Sequence, residues 1–286
     1  MPWLLALPAV ALLLAFHFVP VTAGAYISLT TWNGLTAPTW AGLSNFSYLF
    51  SDAETRDALF HTLEIAGSFV FLSNTIGLAL ALGLNRTVKS RHFLRAIFFA
   101  PAVFSSVAVA YVWQFIFLPS GQGALNDILT KVGLGSWTQP WLGSPTAALW
   151  AIVVVLVWQF SGLTMVIYLA GLQAIPDELY EAAAVDGASM FSQLRRITIP
   201  LLAPAITVSV TITLVFGLRV FDQVIALTDG GPVNATQTLA TEIYEQTFVY
   251  GRWGVGAAVA VVLTGLIATM VLTQLWFLRL RERRIG

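Results

Sequence analysis

Cysteine is absent and histidine occurs only three times, as His17, His61 and His92. The first absence removes disulfides, thiol nucleophiles and thiolate metal sites. The second, with positions far apart, leaves no pattern for a histidine–metal centre, and no metal is expected. Charge is scarce as well: Asp, Glu, Lys and Arg make up 10% of the 286 residues, against roughly 25% in soluble domains. So few ions cannot cover a water-exposed surface. The formal net charge is zero, which leaves no basic face for a phosphate backbone, so nucleic acid is not expected as a partner. No G-x-x-x-x-G-K-[ST] phosphate loop and no H-E-x-x-H zinc signature occur, and serine and histidine show no nucleophile–base arrangement. An enzyme is therefore not expected in this chain.

Apolar residues are what the chain has, at 57% of the total with a mean hydropathy of +0.80. A spanning helix needs about 20 mostly apolar residues, and six segments supply them: 3–27, 62–84, 96–118, 146–172, 201–227 and 254–278. The expected fold is an all-α polytopic membrane protein of six transmembrane helices in one domain, 1–286, surrounded by lipid. The first segment lacks a basic leader, exceeds the length of a signal peptide's apolar core and has no clear small-residue cleavage site. It is read as a span, and the missing basic residues before it suggest a shortened N-terminus.

Orientation follows from lysine and arginine in the loops. One alternating set carries Arg86, Lys89, Arg91 and Arg95, then Arg195 and Arg196, then Arg279, Arg281, Arg283 and Arg284; the other carries only Arg56, Lys131 and Arg252. Ten against three places the first set, and both termini, in the cytosol. The longest cytosolic loop is then 173–200, and it contains EAAAVDGAS at 181–189. Pro176 suits a first helical turn, Asp177 and Glu178 suit the positive end of the helix dipole, and three alanines favour helix with minimal side chains. Gly187 fits a helix stop and Ser189 a cap for a second helix. A short helix with a nearly bare surface can lie in a groove of another protein, with Glu181 and Asp186 bonding at its edges. An ordinary solvated amphipathic loop has the same helix-forming logic.

Spacing separates the two. Glu181-Ala182-Ala183, Gly187, Ile197 and Pro200 resemble the EAA signature of permease subunits in ATP-binding-cassette (ABC) importers, although Ile199 stands where leucine is usual. AGLQAIPDELYEAAAVDGAS (170–189) and VFDQVIALTDGGPVNATQTL (220–239) resemble the sugar-importer branch. GLSNFSYLFSD (42–52) and FLPSGQGALNDIL (117–129) resemble maltose- and glycerol-3-phosphate-type permeases. The resemblance implies a type I ABC importer permease in the bacterial cytoplasmic (inner) membrane. It implies a second permease subunit, a dimer of ATPase subunits that binds ATP and magnesium, and an extracellular substrate-binding protein. This chain would hold no cofactor itself. The 173–200 loop would be the coupling helix, docked on an ATPase through Glu181, Ala182, Ala183, Asp186, Gly187, Ile197 and Pro200. The solute would be a sugar, a polyol or a sugar phosphate.

For the solute path, transporter sites favour polar groups at mid-depth. Asn74, Gln159 beside Trp158, Thr164 and Thr211 fall there, and an aromatic face beside an amide suits a sugar ring. The alternative is that buried amides join helices and Trp marks the interface. Glu64, Arg219 and Asp222 are charges inside spans, all in the outer third. Arg219 and Asp222, three apart, share a helix face, and with Glu64 they read as an outer gate or a structural clamp. TDGGPVNAT (228–236) forms a bend at Gly230-Gly231-Pro232. A self-contained secondary transporter would want a mid-depth carboxylate, which the chain lacks.

Overall fold

The computed structural model describes residues 3–85, 90–119 and 121–282. Arg86, Lys89, Ser120, Arg283 and Arg284 lie outside the described residues. Among the described residues, four helices are long and apolar enough to cross a membrane: α1 (Leu7–Ile27), α3 (Ala53–Leu84), α7 (Pro145–Gln173) and α13, whose spanning part is Trp253–Leu278. Between α1 and α3, α2 (Ser44–Ser51) lies ahead of Asp52, which caps α3 by accepting the Thr55 N–H at 3.0 Å. Two further spans are bent. Arg91–Val103, whose α-helical part is α4 (Arg91–Phe99), meets α5 (Ser106–Ile116) at 100°; α9 (Met190–Leu201) meets α10 (Ala203–Leu218) at 68°. The six-span expectation therefore holds if each bent pair counts as one span. The third and fifth spans are broken, where the sequence predicts continuous helices. Short helices complete the chain: α6 (Ala124–Lys131), α8 (Asp177–Val185), α11 (Asp222–Leu227) and α12 (Leu239–Tyr244).

α7 is the axis of the molecule. Most of its side chains from Ala147 to Leu172 are buried, and those left exposed, among them Trp150, Val154, Trp158 and Val166, are apolar, so it shows no polar stripe. α3 lies along it, and two apolar clusters fill the seam. Ile65, Phe69, Ile152 and Leu156 form the outer one; Ala81, Met165, Tyr168 and Leu172 form the one nearer the 173–200 loop. Between them sits a polar node. Asn74 Nδ2 donates to Val70 O at 2.7 Å and Thr213 Oγ1 at 2.9 Å, while its Oδ1 accepts from Tyr168 at 2.7 Å and Ser209 at 2.7 Å. That one amide ties α3, α7 and α10 together and leaves none of its own bonding unused. Interhelical hydrogen bonds in membranes average about 0.6 kcal/mol, so the node contributes on the order of 2 kcal/mol.

The third span can break beside α7 because Gly162 lets backbone in. A Cβ at that position would collide with the carbonyl of Phe98 and with Phe99 Cα. Arg95 closes the other end of the approach, its Nη2 donating to Leu84 O at the end of α3 at 3.1 Å, where a cation suits exposed carbonyls.

Candidate solute cavity and cytosolic docking helix

The break in the third span and a further break, at the far end of the fifth span from the Leu202 bend, have local causes. α4 tightens after Phe99 into a single turn at Ala100–Val103 that contains Pro101; Phe104 and Ser105 are extended, and α5 restarts at Ser106. Proline removes an N–H and starts a new helical segment readily. α10 stops at Leu218, Arg219 and Phe221 leave helical geometry (φ −105° and −133°), and α11 begins at Asp222. Backbone freed inside a membrane must find partners. Gln159 Nε2 donates to Phe104 O at 3.2 Å, and Gln159 Oε1 accepts from Gln223 Nε2 at 3.1 Å. Thr238 Oγ1 donates to Val220 O at 3.1 Å. Gln159 and Gln223, both buried, thus link one break to the other.

Where the breaks face each other lies a cavity of 460 Å³, lined by Ser106, Leu156, Phe160, Phe216 and the run Arg219 to Gln223. Phe160 and Phe216 sit with ring centroids 5.2 Å apart, and Phe69 meets Phe160 edge-on at 5.9 Å. The lining therefore offers aromatic faces, a guanidinium, a carboxylate, an amide and a hydroxyl around a space of small-molecule size. Arg219 and Asp222 are exposed to this space and, among the described residues, form no ion pair with each other. The expectation of one helix face is corrected by the break, since no helix runs from one to the other. Glu64 is not a third member. It lines a separate pocket of 170 Å³ with His61, Pro145, Thr146, Leu149 and Ala235.

The mid-depth residues named from sequence divide in two. Gln159 sits one hydrogen bond from the cavity wall through Gln223. Asn74, Thr164 and Thr211 lie away from it and join helices. Thr164 Oγ1 reaches Ser73 O at 2.9 Å, and Thr211 Oγ1 reaches Thr207 O at 2.7 Å and Gln274 at 3.3 Å. For these three the helix-joining alternative describes the geometry. Trp158 packs edge-on against Trp113 at 5.6 Å and is 44% exposed on a different face from the cavity. The sequence expectation of mid-depth polar groups does not include Ser106, Phe160, Phe216, Phe221 or Gln223, which line the cavity. Phe160 closes the Trp-Gln-Phe triplet, and Arg219-Val-Phe-Asp-Gln interrupts an apolar run, which is the signal that marks a broken span.

On the opposite face, α8 carries the Glu-Ala-Ala run. Pro176 caps it in an extended conformation (φ −61°, ψ 134°), one position before the expected first turn. Gly187 ends the helix at φ +75°, with Gly187 N–H on Ala184 O at 3.0 Å and Ala188 N–H on Ala183 O at 2.9 Å. This paired closure needs a left-handed residue, so glycine is the natural occupant. Ser189 caps the next helix by accepting the Ser192 N–H at 3.3 Å. Glu181, Ala182, Ala184 and Asp186 are exposed, and Val185 is 88% exposed. The Tyr180 hydroxyl meets Thr198 Oγ1 at 3.0 Å and fastens α8 to the foot of the fifth span, next to the half-buried Ile197 and Pro200. A groove of 570 Å³ runs beside it, between Leu82, Leu172, Tyr180 and Phe191.

Irregular backbone held at depth by side chains, with a cavity at the break, defines a polytopic membrane transporter. The comparisons make the class specific. Residues 73–285 match the family described as "Binding-protein-dependent transport system inner membrane component", and the chain belongs to that family. It is 36% identical over 280 residues to the probable starch degradation products transport system permease protein of Thermoanaerobacterium thermosulfurigenes, covering 98% of this chain and 94% of the relative. It is 34% identical to the trehalose/maltose transport system permease protein of Thermococcus litoralis, over 98% and 94% of the two chains. A crystal structure of a bacterial ABC transporter involved in the import of the acidic polysaccharide alginate superposes with a TM-score of 0.83 at 26% identity, over 97% of this chain and 96% of that one. The chain is thus a transmembrane subunit of an ABC importer, a multi-pass protein that works with a binding protein.

Proposed function

We propose that this subunit conducts a sugar, or a related polyol or sugar phosphate, through the cavity between the two helix breaks. The cavity carries the proposal: aromatic faces can stack on the C–H faces of a ring, while Arg219, Asp222, Gln223 and Ser106 supply donors and acceptors for hydroxyls. The names of the relatives support the same class. Unpaired charges of opposite sign leave the lining without a net cation, which favours a neutral polyol over a phosphate within that class. Uptake kinetics test the reading. Gln223→Ala and Asp222→Asn are expected to raise KM for solute delivered by the binding protein, with protein level unchanged. Wild-type kinetics in both variants overturn it.

The driving end of the proposal is α8. Its small-sided, exposed surface fits a groove on an ATPase subunit that binds ATP and magnesium, with Glu181 and Asp186 at the rim of the contact. A second permease subunit completes the pathway, and both termini lie in the cytosol. Any transmitted stroke must come from contacts that differ between two states, and the Tyr180–Thr198 bond gives α8 a direct hold on the fifth span. Cysteine crosslinking suits this chain, which has no cysteine of its own. Capture of positions 177–190 by the ATPase is expected during active import; transport with no such capture overturns the docking.

A further inference from the structure

On the outer side, the segment after α11 buries a carboxylate that the transport route above does not use. Glu242, on α12, is 1% exposed. Gln237 Nε2 donates to Glu242 Oε2 at 2.6 Å and to Glu245 Oε2 at 2.5 Å, and Gln246 Nε2 donates to Glu242 Oε1 at 2.8 Å. Two carboxylates therefore share one amide nitrogen. The charged groups that face Glu242 are acidic: Glu245 beside it, and Asp52 and Glu54 at the start of α3. Asp229 adds to the field at Glu245. α13, packed on the other side, has no titratable side chain from Trp253 to Leu278. His61 of α3 reaches only the backbone carbonyl of Gln237, through Nδ1 at 3.2 Å. Arg252 is turned to the Tyr250 ring, 5.7 Å away, and to the Tyr48 hydroxyl at 3.4 Å. Among the described residues, neither glutamate has an ion pair.

Burial raises the pKa of both carboxyls above the usual range, and the charge of Glu245 pushes Glu242 further. The amide oxygens Gln237 Oε1 and Gln246 Oε1 are buried and lack a partner. A proton on Glu242 has an acceptor once either amide turns over, and the two orientations of an amide fill the same space. The cluster also holds a strap. From Gln237 to Leu239 the chain is pinned to α3 by His61 and by Thr62 Oγ1, which accepts the Leu239 N–H at 2.9 Å. It is pinned to the fifth-span break by Thr238 on Val220 O.

We infer that Glu242 and Glu245 share one proton that keeps the 237–239 strap seated on Val220, so that Glu242 is a positioning residue for the break that walls the cavity. The inference rests on the reading of that cavity as the solute route. The seated strap binds the proton more tightly than a solvated carboxylate does. Its stabilisation is therefore complete below the ordinary carboxyl value of about 4.3 and is lost as pH rises through the raised value.

The test uses the complete transporter in nanodiscs with one cysteine introduced in this chain, and maleimide labelling read on this chain alone. Ala240→Cys reports the strap and Ser106→Cys reports the cavity wall. Each is compared with the same cysteine in a Glu242→Gln background, which cancels the titration of the thiol. Labelling in the native background is expected to match the Glu242→Gln background at low pH and outrun it as pH rises. The excess should grow by up to about tenfold for each pH unit between the ordinary and raised values. A ratio that stays constant with pH overturns the shared proton. A pH-dependent ratio at Ala240→Cys with none at Ser106→Cys overturns the positioning role. Should Glu242→Gln not assemble, Glu245→Gln, at a half-buried position, removes the like charge and is expected to flatten the pH dependence; an unaltered profile overturns the proposal. Neither readout needs a solute, so failure here is distinct from failure of the cavity assignment, which the KM of Gln223→Ala decides.

Discussion

The seam between α3 and α7 and the cavity between the two breaks are made from the same residue types, yet they do opposite work. In the seam, Asn74, Thr164, Tyr168 and Ser209 have their partners within the helix bundle, and Asn74 alone links α3 to both α7 and α10. At the cavity, Gln159 and Gln223 serve freed backbone and each other, while Arg219 and Asp222 stay open to space. Polarity at mid-depth thus says little by itself. What separates a joint from a site is whether the surrounding backbone is continuous, because a broken helix leaves both a gap and groups that point into it.

The comparison can be broken most directly at Gly162, where the two regions meet. Gly162→Val drives a side chain into the Phe98 carbonyl, which is backbone and cannot swing aside. Overpacking of this kind costs about 1–3 kcal/mol or more, so a large drop in assembled protein is expected by fluorescence-detected size exclusion. Normal yield and melting temperature would show that the close approach is dispensable. Next in size is the face that carries α8. Gly187→Val has open space around its new Cβ but must hold φ +75°, a strain of about 1–2 kcal/mol confined to α8. Together with Glu181→Lys it should cut import by at least about tenfold, equivalent to 1.4 kcal/mol, with the protein still inserted; undiminished uptake by both would remove the coupling assignment.

Asn74→Ala sharpens the contrast from the seam side. It should lower thermal stability by on the order of 2 kcal/mol, from three lost interhelical bonds of about 0.6 kcal/mol each, and leave KM alone. A raised KM with intact stability would return Asn74 to the solute path. The smallest effect is expected from Trp158→Leu, since that ring packs on Trp113 away from the cavity. A change in solute affinity there would mean that the aromatic pair turns inward during transport.

The position of each apolar run was legible because lipid imposes a length, about 20 residues, that sequence alone satisfies or does not. Helix α8 was legible too: a left-handed stop at Gly187, a capping Ser189 and bare alanines are local devices, and local devices are written in neighbouring residues. The cavity was only half legible. Gln159 and the Arg219–Asp222 charges were visible, but a count of residues along an assumed straight helix placed Arg219 and Asp222 on one face. The break that parts them is held by Gln159, 60 positions upstream of Arg219, and by Thr238 beyond the next loop.

Composition and spacing alone determined that this is a membrane-embedded helical chain with an exposed, small-sided elbow. Those properties depend on transfer to lipid and on the conformation of single turns, and both are summed over adjacent residues. Tertiary structure alone decided which polar groups are joints and which face a cavity, and where two acids fall on one amide. These outcomes depend on partners contributed by distant helices, whose approach is set by packing that no single stretch of the chain records.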